Sequence, residues 1–215
     1  MKKLLTLLTL FCCFSIAMQA QSKSGTYGLQ VEAGYAFNIT ENNNYSRNDH
    51  QAWNIAVSPG YHITDKLFAG IGVALYDYHY NRLISNVYGN NNELIEINTS
   101  FISVPIFAHG LWKFRIDNKP SWFVSLKVGY GIISKSTYPK EGQASSGIIR
   151  DDYSGGLFAS PSVGYMYPIN NKHAISLSVS YDLQKNTITN ITDDDRPFKS
   201  DKTNSTIAVK VGWTF

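Results

Sequence analysis

The last nine residues, Ile207 to Phe215, constrain the fold of this chain more than any other segment, because they alternate between two kinds of side chain. One strand face is apolar throughout and ends in an aromatic pair, and the other is small or polar: Ile207, Val209, Val211, Trp213 and Phe215 against Ala208, Lys210, Gly212 and Thr214. A lysine that faces lipid at the midplane of a bilayer costs about 2–4 kcal/mol. The pattern therefore predicts that Lys210 points into a barrel while Val209 and Val211 face lipid. This segment alone also fits a soluble sandwich that ends on an alternating strand.

The N-terminus has the layout of a secretory signal peptide. Met1, Lys2 and Lys3 form a basic start, and an apolar run from Leu4 to Ile16 follows it. This run is too short to span a membrane as a helix. Small residues allow cleavage after Ala17 or after Ala20, and the sequence does not select one. We therefore expect residues 1–20 to be a signal peptide and residues 21–215 to be one β-barrel domain.

The position of the cysteines and the net charge exclude several classes of protein. Both cysteines, Cys12 and Cys13, lie in the signal segment, so the exported domain has no disulfide and no thiolate metal site. Removal of Lys2 and Lys3 from 19 basic residues leaves 17 against 16 acidic residues. A chain so close to neutral has no basic stripe for nucleic acid, and we expect no such partner.

Period-two alternation predicts eight strands, each longer than the ~9–11 residues that a tilted strand needs to cross hydrocarbon. The chain therefore belongs to the all-β class, and we expect an eight-stranded antiparallel transmembrane barrel. The predicted strands are Tyr27–Asn38, Ala52–Ile63, Leu67–Tyr80, Ile97–Trp112, Trp122–Ile133, Gly156–Ile169, His173–Leu183 and Ile207–Phe215.

The connections between these strands alternate in length. Three are short turns, at Thr64–Lys66, Lys113–Ser121 and Asn170–Lys172, and four are long polar loops, at Ile39–Gln51, Asn81–Glu96, Ser134–Gly155 and Gln184–Ser205. Short turns on one side and long loops on the other are typical of outer-membrane barrels of Gram-negative bacteria. An even number of strands places both termini on the short-turn side, which we expect to be periplasmic.

The inward faces of these strands carry the polar residues that a soluble barrel would place outside. Four of them are charged residues that we expect to form an interior ion-pair network of structural character: Glu32, Lys127, Asp182 and Lys210. Eight strands enclose a space just wide enough to be filled by side chains. Residues predicted to help fill it are Tyr76, Phe101, Phe107, Phe123, Phe158 and Met166. An open diffusion pore is therefore not expected, and a narrow gated channel is an alternative.

Four segments carry a family resemblance: S-F-I-S-V-P-I-F at 100–107, W-F-V-S-L-K-V-G-Y-G at 122–131, G-G-L-F-A-S-P-S-V-G-Y at 155–165 and the terminal V-G-W-T-F. With these segments the chain resembles the small eight-stranded outer-membrane barrels, the group of the OmpA barrel and OmpX. It is most similar to the outer-membrane β-barrel domain family that contains PorT. The resemblance implies that Trp213 and Phe215 form the signal recognised by the barrel-insertion machinery.

The sequence offers little chemistry. Some eight-stranded barrels act on lipid A and need a serine, a histidine and an acid near the bilayer interface. His109-Gly-Leu and His173-Ala-Ile-Ser176 lack the close His-x-Ser spacing of such enzymes, so we expect no catalytic residue and no enzyme. A lipid-A-acting barrel stays a second alternative. Asp193-Asp194-Asp195 lacks the alternating spacing of cation ligands, so we expect neither a metal nor a cofactor.

The leading functional hypothesis is therefore a structural or surface-interaction protein of the outer membrane. It covers adhesion and an accessory role in envelope assembly or secretion. Expected partners are outer-membrane lipid and lipopolysaccharide, the insertion machinery, and an unknown extracellular or envelope partner that contacts the long loops.

Overall fold

The structure is a computed structural model that describes residues 25–38, 46–85, 94–115, 119–137, 148–170, 173–192 and 197–215. These residues form nine strand segments: β1 (Thr26–Asn38), β2 (Ser46–His62), β3 (Leu67–Ser85), β4 (Leu94–Lys113), β5 (Ser121–Thr137), β6 (Ile148–Ser154), β7 (Gly156–Pro168), β8 (Ala174–Thr192) and β9 (Pro197–Thr214). The predicted signal peptide lies outside the described residues and stays a prediction.

The nine segments make a closed antiparallel barrel of eight strands. Neighbouring strands pair in chain order, and β1 closes the barrel against β9 from Gln30↔Thr214 to Asn38↔Thr206. Segments β6 and β7 both pair with β8 and are separated by Gly155, so together they form the sixth barrel strand. The predicted fold class and strand number are confirmed.

Two adjacent glycines explain where the sixth strand is interrupted. A Cβ atom at Gly155 would overlap the carbonyl oxygen of Gly131, and one at Gly156 would overlap the carbonyl oxygen of Lys185. Both backbones approach their neighbours too closely for any side chain. The sequence prediction began the sixth strand at Gly156 and missed β6, because a glycine pair inside polar sequence is the usual signature of a loop.

Side-chain exposure alternates along the strands as the parity argument predicts. Val209 and Val211 are 44% and 56% exposed, whereas Lys210 between them is 2% exposed. Large apolar side chains form an exposed belt around the outer wall, and the buried residues of the lumen include many polar ones. This distribution is the reverse of that in a soluble barrel and corresponds to a wall that faces lipid.

At each of the three short turns, a described residue binds the backbone through its side chain. Thr64 Oγ1 accepts hydrogen bonds from the amides of Lys66 and Leu67, at 3.3 and 3.0 Å. Asn170 Oδ1 accepts one from the amide of His173 at 2.8 Å. Ser121 Oγ accepts one from the amide of Arg115 at 3.0 Å. Threonine, asparagine and serine favour turns through such bonds.

On the opposite side of the barrel the strands continue well into the segments predicted as long loops. Strand β2 begins at Ser46, β3 extends to Ser85, β8 extends to Thr192 and β9 begins at Pro197. The predicted loop boundaries are therefore wrong, because strand pairing continues in polar sequence where no lipid demands an apolar outer face. Residues 39–45, 86–93, 138–147 and 193–196 are outside the described residues, and Asp193–Asp195 lie among them.

Among the described residues there is no helix long and apolar enough to cross a membrane.

We predict that Val209→Lys destabilises the barrel in phospholipid vesicles by about 2–4 kcal/mol, because it places a charge on the lipid-facing wall. Thr203→Lys is the matched control. It lies on the same strand face beyond the apolar belt, opposite the exposed Lys185, and should cost about 0–1 kcal/mol. Urea unfolding of vesicle-inserted protein measures both costs. Equal costs for the two variants would contradict the assignment of the outer wall.

Candidate functional site

The barrel lumen brings together the four charged residues that the sequence singles out. Glu32 lies on β1, Lys127 on β5, Asp182 on β8 and Lys210 on β9, and all four point inward. They form two separate ion pairs, Lys127 with Glu32 and Lys210 with Asp182. The lumen thus contains two neutralised pairs at these positions, in place of one continuous four-residue network.

The pair of Lys210 and Asp182 lies at the centre of a buried polar cluster. Lys210 Nζ donates to Asp182 Oδ1 at 2.9 Å, to Ser160 Oγ at 3.2 Å and to Tyr76 Oη at 3.4 Å. The Asp182 carboxylate also accepts from Ser160 Oγ at 2.6 Å and from Tyr76 Oη at 3.0 Å. The lysine has three acceptors and the carboxylate has three donors, so both buried charges are well compensated.

A glycine makes room for this lysine. Gly34 on β1 pairs with Lys210 across the barrel closure, and a Cβ atom there would lie 2.6 Å from Lys210 Cγ. The missing side chain lets the lysine stem lie against the backbone of β1. The closing strand pair is thereby adapted to the buried charge.

The second pair connects strands that are not neighbours. Strands β1 and β5 are separated by three strands in the sheet, so the contact of Lys127 with Glu32 crosses the lumen. Lys127 Nζ also lies over the ring of Phe107, 5.7 Å from its centroid. Both side chains are largely buried, with 4% of Lys127 and 13% of Glu32 exposed.

Aromatic rings fill the lumen beside and above these charges. Tyr76 stacks on Tyr78 with centroids 5.7 Å apart, and Tyr78 stacks on Phe101 at 4.7 Å. Phe158 contacts Tyr76 at 5.6 Å and Phe107 at 5.9 Å. The chain of ring contacts therefore runs across the interior from β4 through β3 to β7 and back to β4.

The six residues predicted to fill the lumen are all buried, and the structure adds others. Tyr78 is one of them, because inward parity on β3 continues beyond Tyr76. Gln184 is another, since it lies in a segment predicted as a loop. It forms hydrogen bonds with Ser103 at 2.7 and 3.0 Å and accepts one from Tyr78 Oη at 3.5 Å.

A second apolar layer lies on the short-turn side and consists of Phe68, Leu111, Phe123 and Met166. Two buried histidines pack against Phe68, with ring centroids 5.3 Å away for His62 and 5.6 Å away for His109. The lumen is thus closed by apolar layers on both sides of the charged pairs.

The proposed insertion signal lies at the seam of the barrel. Phe215 exchanges two backbone hydrogen bonds with Leu29, at 2.9 and 3.4 Å, so the terminal residue completes the pairing of β9 with β1. Its ring lies 6.1 Å from the Trp213 ring and 5.6 Å from the His173 ring. Recognition of Trp213 and Phe215 by the insertion machinery stays a prediction.

No group of three or more histidine, cysteine, aspartate or glutamate side chains is arranged to hold a metal within the described residues.

Comparison with known proteins agrees with this architecture. A family model described as "Outer membrane protein beta-barrel domain" matches residues 5–215. No curated protein sequence matches the chain. Among solved structures, the outer membrane protein OprG from Pseudomonas aeruginosa is similar, with a TM-score of 0.58, 9% identity and coverage of 92% of this chain and 99% of that one. The outer membrane protein AlkL is also similar, with a TM-score of 0.51, 12% identity and 93% coverage of both chains. At such low identity these structures show the fold alone.

The buried pair of Lys210 and Asp182 should contribute to the stability of the barrel. Lys210→Met leaves the Asp182 carboxylate buried without its cation, and we expect it to cost about 3–5 kcal/mol. The double variant Lys210→Met with Asp182→Leu should cost less than the sum of the single variants, because no uncompensated charge remains. Urea unfolding in vesicles measures each cost. Lys185→Met, which breaks the exposed pair of Lys185 with Asp201, is the control and should leave the free energy of unfolding unchanged. Additive costs in the buried cycle would contradict the pairing.

Proposed function

Because the chain belongs to the outer membrane protein β-barrel domain family, we propose that this outer-membrane protein acts as a surface-interaction protein through the strands that project beyond its apolar belt. The observation that carries the proposal is the combination of a filled lumen with strand edges above the belt that pair with no further strand among the described residues. Adhesion and an accessory role in envelope assembly or secretion are the specific roles within this proposal.

The filled lumen supports an interaction role over transport. Two buried ion pairs, one of which crosses the lumen, and two clusters of buried apolar side chains lie in the interior. The largest fully buried side chains of the described residues include Tyr76, Tyr78, Phe68, Phe101 and Phe158. A diffusing solute would have to displace several of these close-packed rings.

The projecting strands form two groups on the side opposite the short turns. In one group β2, β3 and β4 pair as far as Ser46↔Ile84 and Ser85↔Leu94. In the other group β6, β8 and β9 pair as far as Ile148↔Thr192 and Ile191↔Pro197. We call these the first and second projecting sheets.

Each projecting sheet has open edges in the described part of the chain. The segment Leu94–Thr99 of β4 pairs with β3 alone, since pairing with β5 begins at Ser100. Strand β6 pairs with β8 alone. An open strand edge presents unpaired backbone groups to which an extended segment of another protein can add. The partner that fits these edges best is therefore a protein with an exposed extended segment.

The other partners in this proposal contact the apolar belt and the terminal strand. Outer-membrane lipid and lipopolysaccharide contact the apolar belt, and the insertion machinery recognises Trp213 and Phe215.

The test shortens the second projecting sheet and keeps the barrel. Replacing residues 189–199 by Asn-Gly joins Ile188 to Ser200, which are directly paired, through a two-residue hairpin turn. The variant should keep the heat-dependent shift in gel mobility of a folded barrel and lose adhesion or co-purification of envelope proteins. A corresponding truncation of the first projecting sheet is the matched control. Comparison of the two variants shows which projecting sheet binds the partner. If both truncated barrels retain every binding and fitness phenotype, the proposal fails.

A narrow gated channel is the second candidate, and the observation in its favour is that the Lys127–Glu32 pair crosses the lumen. We expect the wild-type barrel to show no conductance in planar bilayers. If it is gated by these charges, Lys210→Met or Glu32→Gln should change its conductance. Unchanged conductance in both variants would remove this candidate.

A further inference from the structure

The outer wall of β3 changes character abruptly at the edge of the apolar belt. Below the edge Ile71, Val73 and Leu75 are exposed on the outer face, and the next two outward residues are Asp77 and His79. His79 Nε2 lies 3.3 Å from Asp77 Oδ2, and the two side chains are 56% and 41% exposed. An acid and an imidazole are therefore paired in an accessible position at the boundary of the belt.

A serine lies next to this pair on the adjacent strand. Ser100 of β4 is directly opposite His79 in the antiparallel register, and it is half-buried. Directly opposed residues point to the same face of the sheet, with Cβ atoms about 4.5–5.5 Å apart. The hydroxyl, the imidazole and the carboxylate are thus neighbours on the outer wall. Since Nε2 faces Asp77, Nδ1 is the nitrogen that would have to serve the Ser100 hydroxyl.

Aromatic side chains lie at the same level of the wall as this acid and imidazole. On β2, Trp53 lies directly opposite Asp77, and its ring contacts the Tyr35 ring at a centroid distance of 4.6 Å. Aromatic residues of this kind mark the interface between hydrocarbon and head groups. An acyl chain that lies along Leu75 and Val73 would place its ester carbonyl beside Ser100 and His79.

We propose that Ser100, His79 and Asp77 form a hydrolytic site on the outer wall for the acyl esters of membrane lipids. His79 accepts the Ser100 proton, Ser100 Oγ bonds to the carbonyl carbon, and the ester C–O bond breaks as the leaving alcohol takes the proton from His79. Water then attacks the acyl-serine, His79 accepts a water proton and returns it to Ser100 Oγ, and a fatty acid leaves. Asp77 is a positioning residue that orients the imidazole.

This activity is independent of the proposed interaction role. It also differs from the sequence-based expectation of no enzyme. That expectation rested on the absence of a histidine and a serine close together in the chain, whereas strand pairing here joins residues 21 positions apart.

The test uses the full chain, folded and checked by its heat-dependent gel shift, in two kinds of vesicle. One contains phospholipid alone and the other contains lipopolysaccharide, so that released fatty acid identifies the source of the ester. A fluorophosphonate probe should label Ser100, and peptide mass spectrometry locates the label. Ser100→Ala should abolish labelling and release, and His79→Gln should lower release by about 100-fold or more.

Two further variants separate catalysis from folding. Asp77→Asn should lower kcat and leave KM and the gel shift unchanged, as expected for a residue that orients the imidazole. Asp201→Asn is the matched control. Asp201 is also an exposed acid of the outer wall, but its ion-pair partner is Lys185 and not a histidine. It should leave labelling and release at the wild-type level. The proposal is overturned if the folded wild type is not labelled at Ser100, if no fatty acid is released in either vesicle, or if release persists in Ser100→Ala.

Discussion

An apolar outer wall leaves the buried charges of this barrel one place to lie, which is the lumen. Lys210 and Lys127 cannot face the belt without a large energetic cost, so each lies inside and requires a partner there. The hydroxyls of Ser160 and Tyr76 and the space beside Gly34 all serve the Lys210–Asp182 pair. The exclusion of charge from lipid therefore organises the interior.

The same exclusion divides the molecule along its axis. Within the belt, the outer face is apolar and the interior holds charges and rings. Beyond Leu75 on β3 the outer face becomes polar at Asp77, and pairing continues into two projecting sheets. Residues at this boundary contact both lipid and water. The proposed hydrolytic site lies at this level, whereas the two projecting sheets extend beyond it.

The sequence predicts the barrel well, because parity applies wherever one face of a strand must be apolar. Strand number, short turns and the inward position of Lys210 all follow from that rule. Parity alone does not reveal register, so the separation of the charges into two pairs and the pairing of Ser100 with His79 were missed. Alternation of apolar and polar residues also fails to predict strands beyond the belt, where polar sequence continues as strand in β6 and in the upper part of β8.

The two buried ion pairs differ in how far apart their members lie along the chain, and they therefore require different amounts of the barrel wall. Lys210 and Asp182 are 28 residues apart on adjacent C-terminal strands, so a single hairpin of β8 with β9 brings them together. Lys127 and Glu32 are 95 residues apart on strands that never pair. The hairpin of β8 with β9 is therefore sufficient to bring the first pair together. The second pair requires a wall that is curled until β1 and β5 face each other across the lumen, so it exists only in a barrel and not in a flat sheet.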